Sequence, residues 1–216
     1  MAWDEFATQP GGHGSGSVSN PFSTRFVRPG ALPFLFPPGA GVIELIGRLR
    51  RQGWWGQIIG PHGSGKSTLL CTLEPALLAA GRSVPWFEFH SGDRRPRMPR
   101  PESAGGNART VVVIDGYEQL NWLERFRWRR CCRRKQWGLL VTAHRDCRLP
   151  HLWSTETTIP LARQLVRQLL PPDDCRAICD DVVSDAFHAC RGNLREIWFR
   201  LYDVCENRSG ATRCPR

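Results

Sequence analysis

The sequence predicts a three-layer α/β fold with a mostly parallel sheet, followed by a small C-terminal helical region. Two observations support this prediction. Between residues 41 and 161, short apolar segments rich in β-branched residues alternate with segments of helical periodicity, which is typical of parallel strands joined by crossover helices. After residue 161 the periodicity is helical throughout. We therefore expect helices to cover both faces of the sheet.

The individual elements follow from the local patterns. The clearest strand ends at Asp115, after four consecutive β-branched apolar residues. Pro75 is expected to kink or divide the helix in which it falls. The predicted strands are 54–59, 83–90, 110–115, 138–143 and, more weakly, 156–161. The predicted helices are 41–51, 67–80, 118–135, 162–170, 173–190 and 193–207.

Composition divides the chain into four regions. Residues 1–40 begin with a Gly/Ser-rich stretch and continue with prolines and phenylalanines, so we expect disorder over 1–19 and an extended strap over 20–40. Residues 41–161 form the predicted α/β core. Residues 162–207 are expected to form a helical lid, and 208–216 a flexible tail.

The overall composition is that of an ordinary globular domain, with 41% hydrophobic and 23% charged residues. No apolar run reaches the ~18 residues that a membrane span requires, and the first residues are acidic where a secretory signal is basic. We therefore expect a cytoplasmic protein without a membrane span. The net charge of +10 comes almost entirely from arginine, since Lys66 and Lys135 are the only lysines.

A glycine-rich loop carries the strongest functional signal. Residues 60–67 match the pattern G-x-x-x-x-G-K-S, between a predicted strand and a predicted helix. Glycines let successive backbone N–H groups point at phosphate oxygens, the lysine reaches the β- and γ-phosphates, and the serine hydroxyl binds Mg²⁺. We therefore expect ATP and Mg²⁺ as ligands. The expected nucleotide-binding residues are Gly60, Pro61, His62, Gly63, Ser64, Gly65, Lys66, Ser67 and Thr68.

Polar residues at the ends of other strands are expected to complete the site. Asp115 is predicted to hold Mg²⁺ together with Ser67. Gly116 follows it where many P-loop ATPases have glutamate, so the nearest carboxylate is Glu118, which either polarises the attacking water or begins the next helix. Thr142, or His144 in its place, either contacts the γ-phosphate or merely starts a turn.

Arg195 lies near the start of the last predicted helix, in the segment Gly-Asn-Leu-Arg at 192–195. At that position an arginine can swing over bound phosphates and report their state to the helices. The alternative is an ion pair on the surface. We therefore count Arg195, with Lys66, Asp115, Glu118 and Thr142, among the candidate catalytic residues.

Taken in chain order, these motifs resemble those of AAA+ ATPases, especially the branch shared with origin-recognition and transposition-helper ATPases and the related STAND regulators. The match spans about 41–205: a Walker A loop at 60–67, a Walker B strand at 111–115, a sensor-one residue at Thr142 or His144, and a sensor-two element at 192–195. The resemblance implies a P-loop NTPase fold and a nucleotide-controlled switch with ATPase activity. Gly116 departs from the family's acidic pair, so the resemblance does not imply fast hydrolysis.

Two other functions remain open. A small-molecule or nucleoside kinase would use the arginine-rich loop 94–109 to bind an acceptor. A non-hydrolysing ATP-binding adaptor would suit the glycine after Asp115. The sequence contains no Leu-Ser-Gly-Gly signature, which argues against an ABC subunit. It also contains no guanine-reading Asn-Lys-x-Asp element, which favours ATP over GTP.

The segment 122–137 places seven cationic residues between aromatic ones. On a helix, Trp122, Phe126, Arg129 and Arg133 share one face. Such a face is suited to the phosphates of DNA or RNA, or to a protein partner. The plainer interpretation is a solvated helix whose aromatic residues pack on the sheet.

Overall fold

The structure is a computed structural model that describes residues 20–89, 108–170 and 178–211. The predicted disorder at 1–19, nearly all of the predicted loop at 91–109, and parts of the predicted helix 173–190 and of the tail 208–216 lie outside these ranges. The strands are β1 (Trp55–Ile59), β2 (Trp86–Glu88), β3 (Val111–Asp115), β4 (Gly138–Ala143) and β5 (His151–Ser154). The α-helices are α1 (Thr24–Val27), α2 (Val42–Arg51), α3 (Lys66–Ala79), α4 (Trp122–Arg134), α5 (Ile159–Leu169), α6 (Asp180–Ala189) and α7 (Leu194–Ala211).

The five strands form one sheet in the order β2-β3-β4-β1-β5, and every pair is parallel. This confirms the predicted α/β class and its parallel sheet. Parallel strands are covered on both faces, so their side chains are apolar in continuous runs. β3 and β4 are buried along their whole length.

Helices cover the two faces of the sheet with separate apolar clusters. Val111 and Val113 of β3 contact the cluster formed with α2 and α3, whereas Val112 and Ile114 belong to the cluster formed with α4. Alternate residues of a strand point to opposite faces, so one strand contributes to both clusters. On the α4 side, the buried indole of Trp128 lies against Phe87.

The predicted strand 156–161 is wrong. The fifth strand lies earlier, at His151–Ser154, and Ile159 is the first residue of α5. The Thr158 side chain accepts a hydrogen bond from the Leu161 backbone N–H (3.3 Å), and Pro160 lies in the first turn. A threonine cap and an early proline are signals of a helix start, and they outweigh the β-branched composition of this segment.

Several boundaries also differ from the sequence prediction. α3 is continuous through Pro75, and β2 is much shorter than 83–90. The segment 20–40 is not extended throughout, because it contains α1. α7 continues to Ala211, into the expected tail. Within the described ranges, no helix is long and apolar enough to cross a membrane.

A third apolar cluster joins α5, α6 and α7. Phe22 is buried in it and stacks on Trp198, with ring centroids 6.0 Å apart. The segment 20–36 thus bridges two clusters, since Phe34 and Phe36 pack instead against the α2–α3 side of the sheet. The backbone N–H of Phe34 donates to Thr72 Oγ1 of α3 (3.0 Å).

Candidate functional site

The site lies where two chain connections leave the sheet in opposite directions. From β1 the chain runs through α3 to β2 at one edge, whereas from β4 it passes to β5 on the other side of β1. β1 and β4 are neighbours, and Gly60 N donates to Ala143 O (3.2 Å) just beyond their carboxyl ends. In open α/β sheets, ligands bind in the crevice at such a switch point.

The loop 60–65 connects β1 to α3 and is fixed on two sides. Toward β5, Ser64 is buried and its hydroxyl shares a 2.6 Å hydrogen bond with Thr155 Oγ1. Toward α7, the Leu194 backbone N–H donates to Gly63 O (3.2 Å). Gly63 has φ +67°, and a Cβ there would collide with Asn193 Oδ1. A larger residue at position 63 would therefore have a strained backbone and would displace the Asn193 side chain.

Lys66 begins α3 and is almost fully buried. Its ammonium donates to Gly60 O (2.8 Å) and Pro61 O (2.7 Å), and it lies 3.3 Å from His144 Nδ1. Two of its three N–H donors therefore bind loop carbonyls, and the third faces His144 Nδ1, which also lies 3.0 Å from Gly60 O. Burial lowers the pKa of Lys66, while the nearby carboxylates of Glu118 and Asp115 act in the opposite direction.

Asp115 ends β3 and is buried at the same edge of the sheet. The Thr142 hydroxyl donates to Asp115 Oδ1 and accepts from the Gly116 backbone N–H (2.9 Å). Since Thr142 is fully buried and its only hydroxyl hydrogen is used, it orients the Asp115 carboxylate. Of the two residues proposed for the γ-phosphate contact, His144 is the more exposed.

Gly116 explains why a second acid does not follow Asp115. Its φ is +81°, and a Cβ at this position would collide with the carbonyl oxygen of Phe89. Only glycine adopts this conformation readily. The chain then forms a 3₁₀ turn at Tyr117–Gln119, and the next carboxylate is therefore that of Glu118.

Glu118 and His144 form a pair in the crevice. His144 Nε2 lies 2.9 Å from Glu118 Oε1, and both side chains are about a quarter exposed (23% and 22%). With hydrogen on Nε2, His144 donates to Glu118, while its Nδ1 lies 3.3 Å from the Lys66 ammonium and 3.0 Å from Gly60 O. Glu118 Oε2 is buried and has no hydrogen-bond partner in the part of the chain that is described.

Arg195 approaches the loop from the helical side. It lies in the first turn of α7 and lines a cavity of about 320 Å³ together with residues 63–68 of the loop and the start of α3. Its positive charge contributes to lowering the pKa of Lys66. The other walls come from α5, α7 and the segment 24–35, and they are mainly apolar.

The structure thus gathers the predicted residues at one end of the sheet, whereas the pairing of Glu118 with His144 and the support from Thr155 were not foreseen. Thr155 follows β5 and bonds Ser64, 91 residues away, so no local spacing could reveal it. Neither a scan against protein-family models nor a search of curated proteins finds a match for this chain. The function of this chain must therefore be inferred from its own residues and their geometry.

Proposed function

We propose that this chain is a Mg²⁺-dependent ATP hydrolase of the P-loop class, similar to AAA+ ATPases, and that the nucleotide controls the position of its C-terminal helices. One observation carries the proposal: the buried Lys66 ammonium donates to two loop carbonyls at the end of the sheet where Asp115 and Glu118 also lie. A buried cation with two nearby acids at the end of a parallel sheet is suited to binding and cleaving a phosphoanhydride.

Nucleotide binding in this proposal uses the loop and the cavity beside it. The N-terminus of α3 and the backbone N–H groups of 60–65 attract the phosphates. Lys66 exchanges a loop carbonyl for a phosphate oxygen, which its charge favours. The apolar wall, which includes Phe34 and Leu161, is suited to the flat base of the nucleotide.

The donors available for Mg²⁺ fit that ion. Ser67 offers a hydroxyl and Asp115 a carboxylate, and Mg²⁺ prefers such hard oxygen ligands alongside substrate phosphates. Thr142 holds the Asp115 carboxylate in a fixed orientation. When bound, the ion would neutralise charge that develops on the phosphate oxygens.

In this proposal Glu118 is the general base of ATP hydrolysis. A water oxygen forms a bond to the γ-phosphorus, the bond from that phosphorus to the bridging β–γ oxygen breaks, and ADP and phosphate leave. The water proton passes to the Glu118 carboxylate and then to solvent. The hydrogen bond from His144 keeps the Glu118 carboxylate fixed in the crevice, which supports this role.

The switch acts through the contact between the loop and α7. Leu194 and Asn193 touch Gly63, and Arg195 lies on the cavity wall. Phosphates that attract Arg195 would shift the start of α7 and with it the cluster of α5 and α6. The three helices would then serve as a lid whose position depends on the nucleotide.

A second function is favoured by one observation. The position after Asp115, where many P-loop ATPases carry a glutamate, holds Gly116 and has no space for a side chain, so a form that binds ATP without cleaving it would suit an adaptor. The kinase alternative depended on the segment 94–109, nearly all of which lies outside the described residues.

The test is a measurement of ADP and free phosphate from purified full-length protein with Mg²⁺-ATP. A hydrolase releases both in equal amounts without any acceptor, a kinase forms ADP only when an acceptor is added, and an adaptor binds ATP without turnover. Asp115→Asn should remove the Mg²⁺ dependence together with turnover. Binding without turnover in the wild-type protein would overturn the hydrolase assignment.

A further inference from the structure

The outward face of α4 exposes large aromatic side chains. Trp122 is 79% and Phe126 56% exposed, although aromatic rings of this size are usually buried. The opposite face of the helix carries Trp128 and Cys132, which are fully buried against the sheet. The need for a core therefore explains one face of α4 and leaves the exposed rings without a structural role.

α4 is held rigidly at its N-terminal end. Asn121 and Glu124 form a reciprocal capping box, with hydrogen bonds of 2.9 and 3.0 Å. Arg125 donates to the carbonyls of Leu120 and Glu118 (both 2.8 Å), and Arg129 donates to Tyr117 Oη (3.1 Å). These contacts fix the helix to the body, so the exposed side chains project from a stable platform.

Four side chains form a row along the exposed face: Trp122, Phe126, Arg130 and Arg134, each four residues after the previous one. Four residues of α-helix rise about 6 Å. Successive nucleotides in one strand of a duplex rise only ~3.4 Å. Bases can stack on these rings only when their faces are uncovered, so the bound strand is unpaired, and adjacent bases must be spread beyond their duplex spacing to reach both rings.

The charges along this face are not neutralised by acidic neighbours. Arg127, Arg130 and Arg134 are exposed, and none has a salt-bridge partner within the described ranges. Glu124 is the only acidic residue of α4, and its side chain is used in the cap. The face therefore attracts polyanions.

We propose that this face of α4 binds single-stranded nucleic acid, with bases stacked on Trp122 and Phe126 and phosphates held by Arg127, Arg130 and Arg134. Aromatic rings interleaved with cations are the usual platform for unpaired strands, because every base has a π-face. A duplex offers phosphates but no free base faces. An acidic protein segment would use the cations but gain less from two separate rings.

The test is fluorescence anisotropy of a short labelled oligothymidylate titrated with full-length protein. Replacing Trp122 or Phe126 by alanine should weaken binding about tenfold for each ring. The double variant Arg130→Ala/Arg134→Ala should lower the slope of log affinity against log salt by ~1.4, at about 0.7 per phosphate contact.

Matched controls come from α2, which lies on the other face of the sheet. Arg50→Ala/Arg51→Ala removes two exposed arginines there, and Ile43→Ala removes an apolar side chain that is 90% exposed. Both should leave affinity within about twofold, with circular dichroism confirming the fold of every variant. Equal binding of a duplex, tighter binding of a poly-glutamate peptide, or unchanged affinity after loss of both rings would overturn the proposal.

Discussion

Lys66 and the arginines of α4 both carry positive charge, but their surroundings differ. Lys66 is buried, and its ammonium donates to Gly60 O and Pro61 O and contacts His144. Arg130 and Arg134 extend into solvent beside exposed rings. A ligand of Lys66 must replace existing hydrogen bonds with matching geometry, whereas a ligand of α4 displaces only water and counterions.

This difference in burial and bonding determines how each region selects its ligand. A buried and fully bonded group discriminates by geometry, because any mismatch leaves it unsatisfied at a cost of about 1–3 kcal/mol. An exposed row of cations discriminates weakly, and its affinity depends on salt. We therefore expect substitutions in the crevice to act on ATP binding, catalysis or folding, and substitutions on α4 to act on nucleic-acid affinity alone.

The largest expected effect comes from Glu118. Glu118→Gln keeps the shape of the side chain but removes the base, so the rate of ATP turnover should fall about 10²–10⁴-fold. ATP affinity should change by less than about threefold, as measured by titration calorimetry beside the phosphate-release assay. If turnover persists at the wild-type rate, Glu118 is not the base.

Substitution of Gly116 tests a constraint on the backbone without changing a catalytic side chain. Gly116→Ala should lower the free energy of unfolding by about 3 kcal/mol, since it adds strain at positive φ to a collision with Phe89 O. Gly81→Ala is the matched control: φ is +71° and nothing lies within 4 Å of the added Cβ, so the cost should be about 1 kcal/mol. Equal costs in urea denaturation would contradict the close approach of Phe89.

His144 has two distinct ring nitrogens, and two substitutions separate them. In His144→Gln the amide nitrogen can replace Nε2 and still donate to Glu118, whereas in His144→Asn it can replace only Nδ1, near Lys66. We expect His144→Asn to lower kcat about 10- to 100-fold with KM little changed, because the base loses a charge-assisted hydrogen bond. His144→Gln should retain most of the activity. The reverse order would show that the contact with Lys66 matters more.

Salt should affect the two regions differently. Between about 50 and 200 mM salt, oligothymidylate affinity should fall about 20-fold if three arginines contact phosphates. ATP affinity should fall by less than about threefold over the same range, since Lys66 is buried. Both dissociation constants can be measured on the same protein preparation. An equal salt dependence would remove the distinction between the two regions.

The sequence predicted the elements around the crevice because their signals are local. The glycine pattern at 60–67, the β-branched run before Asp115 and the periodicity of the helices each lie within one short segment. The contact between Ser64 and Thr155 depends on the strand order, which no short segment encodes. The misplaced fifth strand has the opposite cause, since Ile159 and its neighbours suit a strand until Thr158 is recognised as a helix cap.

In the candidate site, too, local signals could be predicted from the sequence and contacts between distant segments could not. The positions of Glu118 and His144 after a strand indicate each residue separately, but their hydrogen bond depends on the side-by-side placement of β3 and β4. Gly116 departs from the family pattern in the sequence, but only the position of the Phe89 carbonyl gives the reason. Exposure of Trp122 and Phe126 was likewise not evident, because the same pattern also suits rings packed on the sheet.

The central claim is tested most directly by calorimetric titration of Mg²⁺-ATP into wild-type protein and two lysine variants. Lys66 and Lys135 are the only lysines, and Lys135 is exposed, with its ammonium 4.5 Å from the centre of the Trp137 ring. Lys66→Ala, and Lys66→Met as a volume-conserving check on folding, should weaken binding about 100-fold. Lys135→Ala should leave it unchanged. Full ATP affinity in a folded Lys66 variant would contradict the assignment of this loop as the nucleotide site.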